Sequence, residues 1–248
     1  MSEKKVALIT GAAGGLGRSL AGHLEAEGWS LVVASRDADR LSDVFGERHL
    51  QVCADCGSPE GAKEIFQVAQ ENGLVPQAFA HCVGNIKLGA LHRLSEADYQ
   101  ESIQANLSSA FHSLAAFVGN LRQHNLPGSA VLVSSVAAQM GTPNHEAVAA
   151  AKGGVEGLAR GAAATYAPYG IRVNVVAPGI MDSPATERLL ATDASRSAAA
   201  RQYPLPGIGS TTELAELMAW LMSDRSSRVT AQVWSVDGGF TGVRPVVK

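Results

Sequence analysis

The sequence is sparing in several residue types, and each shortage removes a class of protein. Three cysteines in 248 residues are too few, and odd in number, for the disulfide framework of a secreted scaffold. Cys53 and Cys56 have C-x-x-C spacing, yet no second Cys or His pair follows at zinc-finger distance. They read as reduced thiols at a strand end, and no metal site is expected. Charged residues make up only 17%, with a net charge of -3, so there is no basic footprint for nucleic acid or an anionic membrane. No run approaches the ~20 apolar residues of a membrane span. Met1-Ser2-Glu3-Lys4-Lys5 leads straight into a strand-like segment, without the apolar stretch of a signal peptide. A soluble, cytoplasmic protein is expected. Linkers rich in Pro, Gly or Ser, charge runs and internal repeats are also missing, so residues 1–248 are expected to form one domain, as α/β folds of about 250 residues often do.

What is present is a regular alternation. Short β-rich runs at 5–10, 30–34, 49–53, 77–82, 130–134, 172–176 and 232–236 are separated by helical stretches at 16–27, 39–45, 59–72, 96–123, 143–166 and 213–223. The stretch 96–123 is long enough to be interrupted. Strands alternating with helices imply parallel strands joined by right-handed crossovers, with helices on both faces. Such a doubly wound sheet binds ligands beyond the carboxyl ends of its strands. One segment departs from the alternation. Residues 183–207 are rich in Ala, Ser and Thr and bracketed by Pro184, Pro204 and Pro206. A long excursion there is expected to be a lid over a substrate site.

Behind the first strand stands Thr10-Gly11-Ala12-Ala13-Gly14-Gly15-Leu16-Gly17. Gly11, Gly15 and Gly17 allow a tight turn and a close backbone approach to a diphosphate. The helix that follows points its N-terminus, with free N–H groups and a positive dipole, at that anion. At the end of the second strand, Ser35-Arg36 stands where a carboxylate would bind ribose hydroxyls and repel a 2′-phosphate. A guanidinium instead pairs with that phosphate. NADP(H) is therefore expected over NAD(H), although a small loop shift would bring Asp37 to the ribose.

These pieces, with Asp55 after the third strand, Asn106-Leu107, Ser134-Ser135, Lys152, Asn174 to Gly179 and Val236-Asp237-Gly238-Gly239, run in order along the chain. In them the sequence resembles the short-chain dehydrogenase/reductase family from end to end, particularly its β-ketoacyl carrier-protein reductase-like branch. The resemblance implies a single-domain, Rossmann-type α/β fold of about seven strands. It implies that Asp55 meets the adenine amino group and that Gly84 gives close backbone approach. It implies that Pro178, Gly179 and Ile180, with Ser183 beside them, line the nicotinamide. After the fourth strand the family shows Asn-Ala-Gly, where this chain reads His81-Cys82-Val83-Gly84. His81 either replaces the asparagine's hydrogen bonds or is a neutral ring satisfied by nearby backbone.

The family's chemistry uses a tyrosine as proton donor, a lysine four residues later, a serine that orients the carbonyl and an asparagine on a proton relay. Residues four apart share a helix face. Lys152, Ser135 and Asn106 fill three of these places. The fourth, four residues before Lys152 and thirteen after Ser135, is Val148. None of Tyr99, Tyr166, Tyr169 and Tyr203 has a lysine four positions on. Two readings follow: an NADP(H)-dependent oxidoreductase of a small carbonyl, imine or enone with an unusual proton donor, or a lapsed dinucleotide-binding subunit or cofactor sensor. Thr142-Pro143 reads as an N-cap with proline at the first helical position. That would place His145, seven residues before Lys152, on nearly the same face, as a substitute donor or merely a capping residue. The same helix carries Gly153, Gly154, Gly157 and Gly161, each disfavouring a helix interior by about 1 kcal/mol. Their compensation is close packing, against the sheet or against a second copy, and the resemblance implies a homodimer or homotetramer.

Overall fold

Along β1 (Val6–Thr10) the side chains alternate between two apolar layers, Ala7 and Ile9 entering one and Leu8 the other. In β2 (Ser30–Ser35) Leu31 and Val33 join the first layer, and Val32 and Ala34 the second. A strand buried on both faces needs apolar residues at successive positions, which is why these runs lack the polar alternation of a solvent-facing sheet. The computed structural model describes residues 5–244. β3 (Leu50–Cys53), β4 (Ala78–His81), β5 (Gly128–Val133), β6 (Ile171–Pro178) and β9 (Val233–Val236) complete a seven-stranded sheet. Its order is β3-β2-β1-β4-β5-β6-β9, with every neighbouring pair parallel. The remaining strands, β7 (Met181–Asp182) and β8 (Gly209–Ser210), pair with each other at the foot of the 183–207 excursion.

Helices α1 (Gly15–Ala26), α2 (Ala38–Phe45) and α8 (Thr211–Met222) cover one face through Leu20, Leu24, Leu41, Leu214 and Met218. On the other lie α3 (Pro59–Glu71), α5 (Ser109–His124) and α6 (Glu146–Tyr166), through Phe66, Phe117, Leu121 and Val155. The strand order reverses between β1 and β4, and the crevice at that point is where such sheets take ligands.

The long helical stretch expected at 96–123 is interrupted: α4 (Glu96–Ile103) passes into a π turn at Gln104–Ser108 before α5. One expectation is corrected: α6 does not start at Thr142-Pro143. It starts at Glu146, with His145 in the non-helical N-cap position at φ -107° and ψ 15°. Asn144, at φ +63°, turns the chain just before it, so proline at 143 ends a loop instead of opening a helix. Within residues 183–207, α7 (Asp193–Ala200) forms with a Thr192–Ser195 capping box. No described helix is long and apolar enough to cross a membrane.

Candidate active site

The sequence-predicted site residues gather at or beyond the carboxyl ends of β1 to β6. Gly11 has φ +69°, and a Cβ on it would lie 2.8 Å from the Cys82 carbonyl carbon. A Cβ on Gly17 would lie 2.5 Å from the Gly11 oxygen, so α1 can seat against the turn only with glycine there. No side chain caps α1, which leaves its first N–H groups to an anion. Beside this turn runs a cleft of about 410 Å³, lined by Thr10, Gly11, Ser35, Arg36, Asp55 and Gly84. Leu16 packs on the apolar layer behind it. A Cβ on Gly15 would lie 2.9 Å from Pro184, so the start of the 183–207 segment rests on the turn. A narrow glycine floor, a free helix N-terminus and a cleft of this size fit a dinucleotide.

At the β2 end of the cleft, Arg36, which precedes α2, is joined by Arg40 from the first turn of that helix. Arg40 was missed in the sequence although the four-residue spacing was legible. Asp37 does not turn towards a ribose: its Oδ1 accepts the Arg40 backbone N–H at 3.0 Å and caps α2. Asp55 accepts the Gly57 N–H through Oδ1 at 2.9 Å. Across the cleft, Gln104 donates to the Gly57 carbonyl at 2.6 Å.

Of the two readings of His81, a neutral ring stands, but its partners are hydroxyls and not backbone. Its Nε2 lies 3.0 Å from Ser109 Oγ, and Ser109 spends its own proton on the Ala105 carbonyl at 2.8 Å. Nε2 is therefore the donor, and Nδ1 accepts from Thr10 Oγ1 at 2.8 Å. This neutral tautomer ties the first glycine turn to α5. Burial, reinforced by the Lys152 charge, lowers the His81 pKa to about 3, so the ring carries no proton to spare.

The remaining polar groups converge on Gly84. A Cβ there would lie 2.7 Å from Asn106 Oδ1 and 3.2 Å from Lys152 Nζ. Asn106 is buried within the π turn. Its Oδ1 accepts the Asn85 N–H at 3.2 Å, and its Nδ2 donates to Asn85 Oδ1 at 2.8 Å and to the Ser102 carbonyl at 2.9 Å. A π turn widens the backbone and is frequent at functional sites; nothing in the local sequence announces it. Lys152 donates to the Val133 carbonyl at 2.9 Å, and burial lowers its pKa to about 8. Ser135 stands two residues past the end of β5 and caps a 3-10 turn, accepting the Ala137 N–H at 3.2 Å.

Val148 is buried on α6, one turn before Lys152. His145 lies 2.8 Å through Nδ1 from the Pro143 carbonyl. A carbonyl only accepts, so Nδ1 carries the proton and spends it on backbone. At the end of β6, Ile180 donates its N–H to the Tyr203 hydroxyl at 2.7 Å. Tyr203 comes from the 183–207 segment and was not singled out in the sequence, which offers no local signal that its phenol reaches the Pro178–Ile180 turn.

A seven-stranded parallel sheet with a glycine turn at its reversal, and a half-buried Ser135 with buried Lys152 and Asn106 about the next strand ends, defines a dinucleotide-binding oxidoreductase scaffold. The family model described as enoyl-(acyl carrier protein) reductase matches residues 11–241, and the chain belongs to the short-chain dehydrogenase/reductase family. It is 36% identical over 251 residues to cis-4-hydroxycyclohexanecarboxylate dehydrogenase of Sinomonas cyclohexanicum, covering 97% of this chain and 98% of that one. To 3-oxoacyl-(acyl-carrier-protein) reductase of Escherichia coli (strain K12) it is 30% identical over 241 residues, with 96% and 97% covered. The structure of levodione reductase superposes with a TM-score of 0.88 at 29% identity, covering 97% and 98%.

Proposed function

We propose that this protein is an NADP(H)-dependent oxidoreductase of a small carbonyl, imine or enone, which delivers its proton without a tyrosine. The observation that carries the cofactor choice is the pairing of Arg36 and Arg40 at the adenosine end of the cleft while Asp37 is committed to capping α2. Two guanidiniums suit a 2′-phosphate, and no carboxylate at the end of β2 is free to repel it. The names of the two relatives and of levodione reductase, all concerned with a hydroxyl or a ketone, support the substrate class.

NADPH, when bound, supplies hydride. Ser135 orients the substrate oxygen, and Lys152 gives that oxygen its proton, with Asn106 holding the relay water beside it. We assign the proton to Lys152 over His145 because the His145 proton already serves the Pro143 carbonyl, whereas an ammonium with pKa about 8 is close to the ideal for a general acid near neutral pH. Residues 183–207 act as the substrate lid, resting on Gly15 through Pro184.

Val148, apolar and buried on α6, favours a second reading, a lapsed binding subunit or cofactor sensor. The two are separated by titrating NADPH and NADH, then following NADPH oxidation with ketones, imines and enones in wild type and V148Y. Tighter NADPH than NADH binding and measurable wild-type turnover are expected. Tight NADPH binding without wild-type turnover, beside ketone reduction by V148Y, would leave the second reading standing.

A further inference from the structure

Of the turn assigned above to the nicotinamide, Pro178 has no N–H to offer and Gly179 donates to the Val236 carbonyl at 3.1 Å. Ile180 is left as the turn's remaining backbone donor, and it is held by Tyr203 Oη at 2.7 Å. The same side chain covers the turn's glycine: a Cβ on Gly179 would lie 2.8 Å from Tyr203 Cε1 and 3.0 Å from its hydroxyl. A nicotinamide at this turn needs both features, a donor for its carboxamide oxygen and a face bare of side chain for its ring. Tyr203 occupies both.

We propose that Tyr203 is a latch in the cofactor site, holding in the free protein the Ile180 N–H and the Gly179 face that the nicotinamide takes when NADP(H) binds. This rests on the dinucleotide reading and adds to it a residue and a sequence of events. The backbone after the latch is pinned, Leu205 donating to the Gly238 carbonyl at 2.8 Å, so release falls on the Tyr203 side chain and the lid before it. The ring packs 5.3 Å from Phe240, a contact that a phenylalanine keeps. Burial raises the phenol's pKa, so at neutral pH the Ile180 N–H meets a neutral oxygen. A neutral pair of this kind is exchanged more readily than a charged one. Without it, Ile180 would keep a partly buried donor unpaired until the cofactor arrives.

The test compares wild type with Tyr203→Phe, using NADPH and adenosine 2′,5′-bisphosphate, which has the adenosine and 2′-phosphate but no nicotinamide. Y203F should bind NADPH about 2- to 10-fold more tightly, the range of one net hydrogen bond, and the bisphosphate with unchanged affinity. Hydrogen exchange gives a second readout. The Ile180 amide should exchange faster in free Y203F than in free wild type, and be protected in both by NADPH. Unchanged or weaker NADPH binding, an equal shift for both ligands, or an unaltered Ile180 exchange rate overturns the latch. Failure of wild type to bind either ligand overturns the dinucleotide reading as well, and is told apart by the bisphosphate.

Discussion

Lys152 shows how one environment sets both the charge and the direction of a side chain. Buried beneath Gly84 and tied to the Val133 carbonyl, its amine is desolvated, and that moves its pKa down to about 8. His81 meets the same desolvation with a different outcome: at about 3 it is neutral throughout the working range and serves as a tie. On the proposed function, the lysine is the group whose titration sets the proton supply. Its proton-bearing form prevails below about pH 8 and is lost above it. Reduction by wild type should therefore decline about tenfold per pH unit above pH 8, and oxidation of the corresponding alcohol should show the opposite trend. A pH–rate profile of kcat/KM flat from about pH 7 to 10 would remove Lys152 as the proton source.

At the scale of elements, caps decide which charges remain available. Asp37 is at the N-cap of α2, and its carboxylate answers a backbone N–H that would otherwise lack a partner. Asp37→Ala should lower stability by about 0.5–2 kcal/mol in a urea titration and leave NADH affinity within twofold. A selective loss of NADH binding would show instead that this carboxylate reaches the ribose. The π turn at Gln104–Ser108 is the other decisive element. It directs Asn106 inward onto Asn85 and Ser102, in a stretch whose residues carry no proline and no glycine to mark an irregularity. Asn106 was legible as a residue, and its geometry was not.

For the whole molecule, the glycines of α6 divide between two uses. Gly154 faces Leu107, where a Cβ would lie 2.7 Å from the leucine side chain, whereas Gly153, Gly157 and Gly161 have nothing within 4 Å of theirs. Intramolecular packing accounts for the first alone. The other three, four residues apart, leave a strip of α6 bare of side chains, and we propose that two copies meet along α6 as a homodimer or half of a homotetramer. Gly157→Leu leaves the protomer unhindered because its Cβ enters open space. Light scattering should report an assembly for wild type and a smaller species for G157L. A wild-type monomer would remove the assembly.

By itself the sequence determined the doubly wound parallel fold, the glycine turn and the membership of a family, because these rest on period, spacing and backbone sterics, which are local. It also located Lys152, Ser135 and Asn106 and set Val148 one turn before the lysine. Only the tertiary structure decided what their neighbours do. Asp37 is engaged by a helix end, His81 by hydroxyls from two distant elements, and the His145 proton by a carbonyl. Tyr203 meets Ile180 across 23 positions of chain. A side chain's chemistry depends on which groups reach it first, and for these residues that contest is settled between segments that only packing brings together.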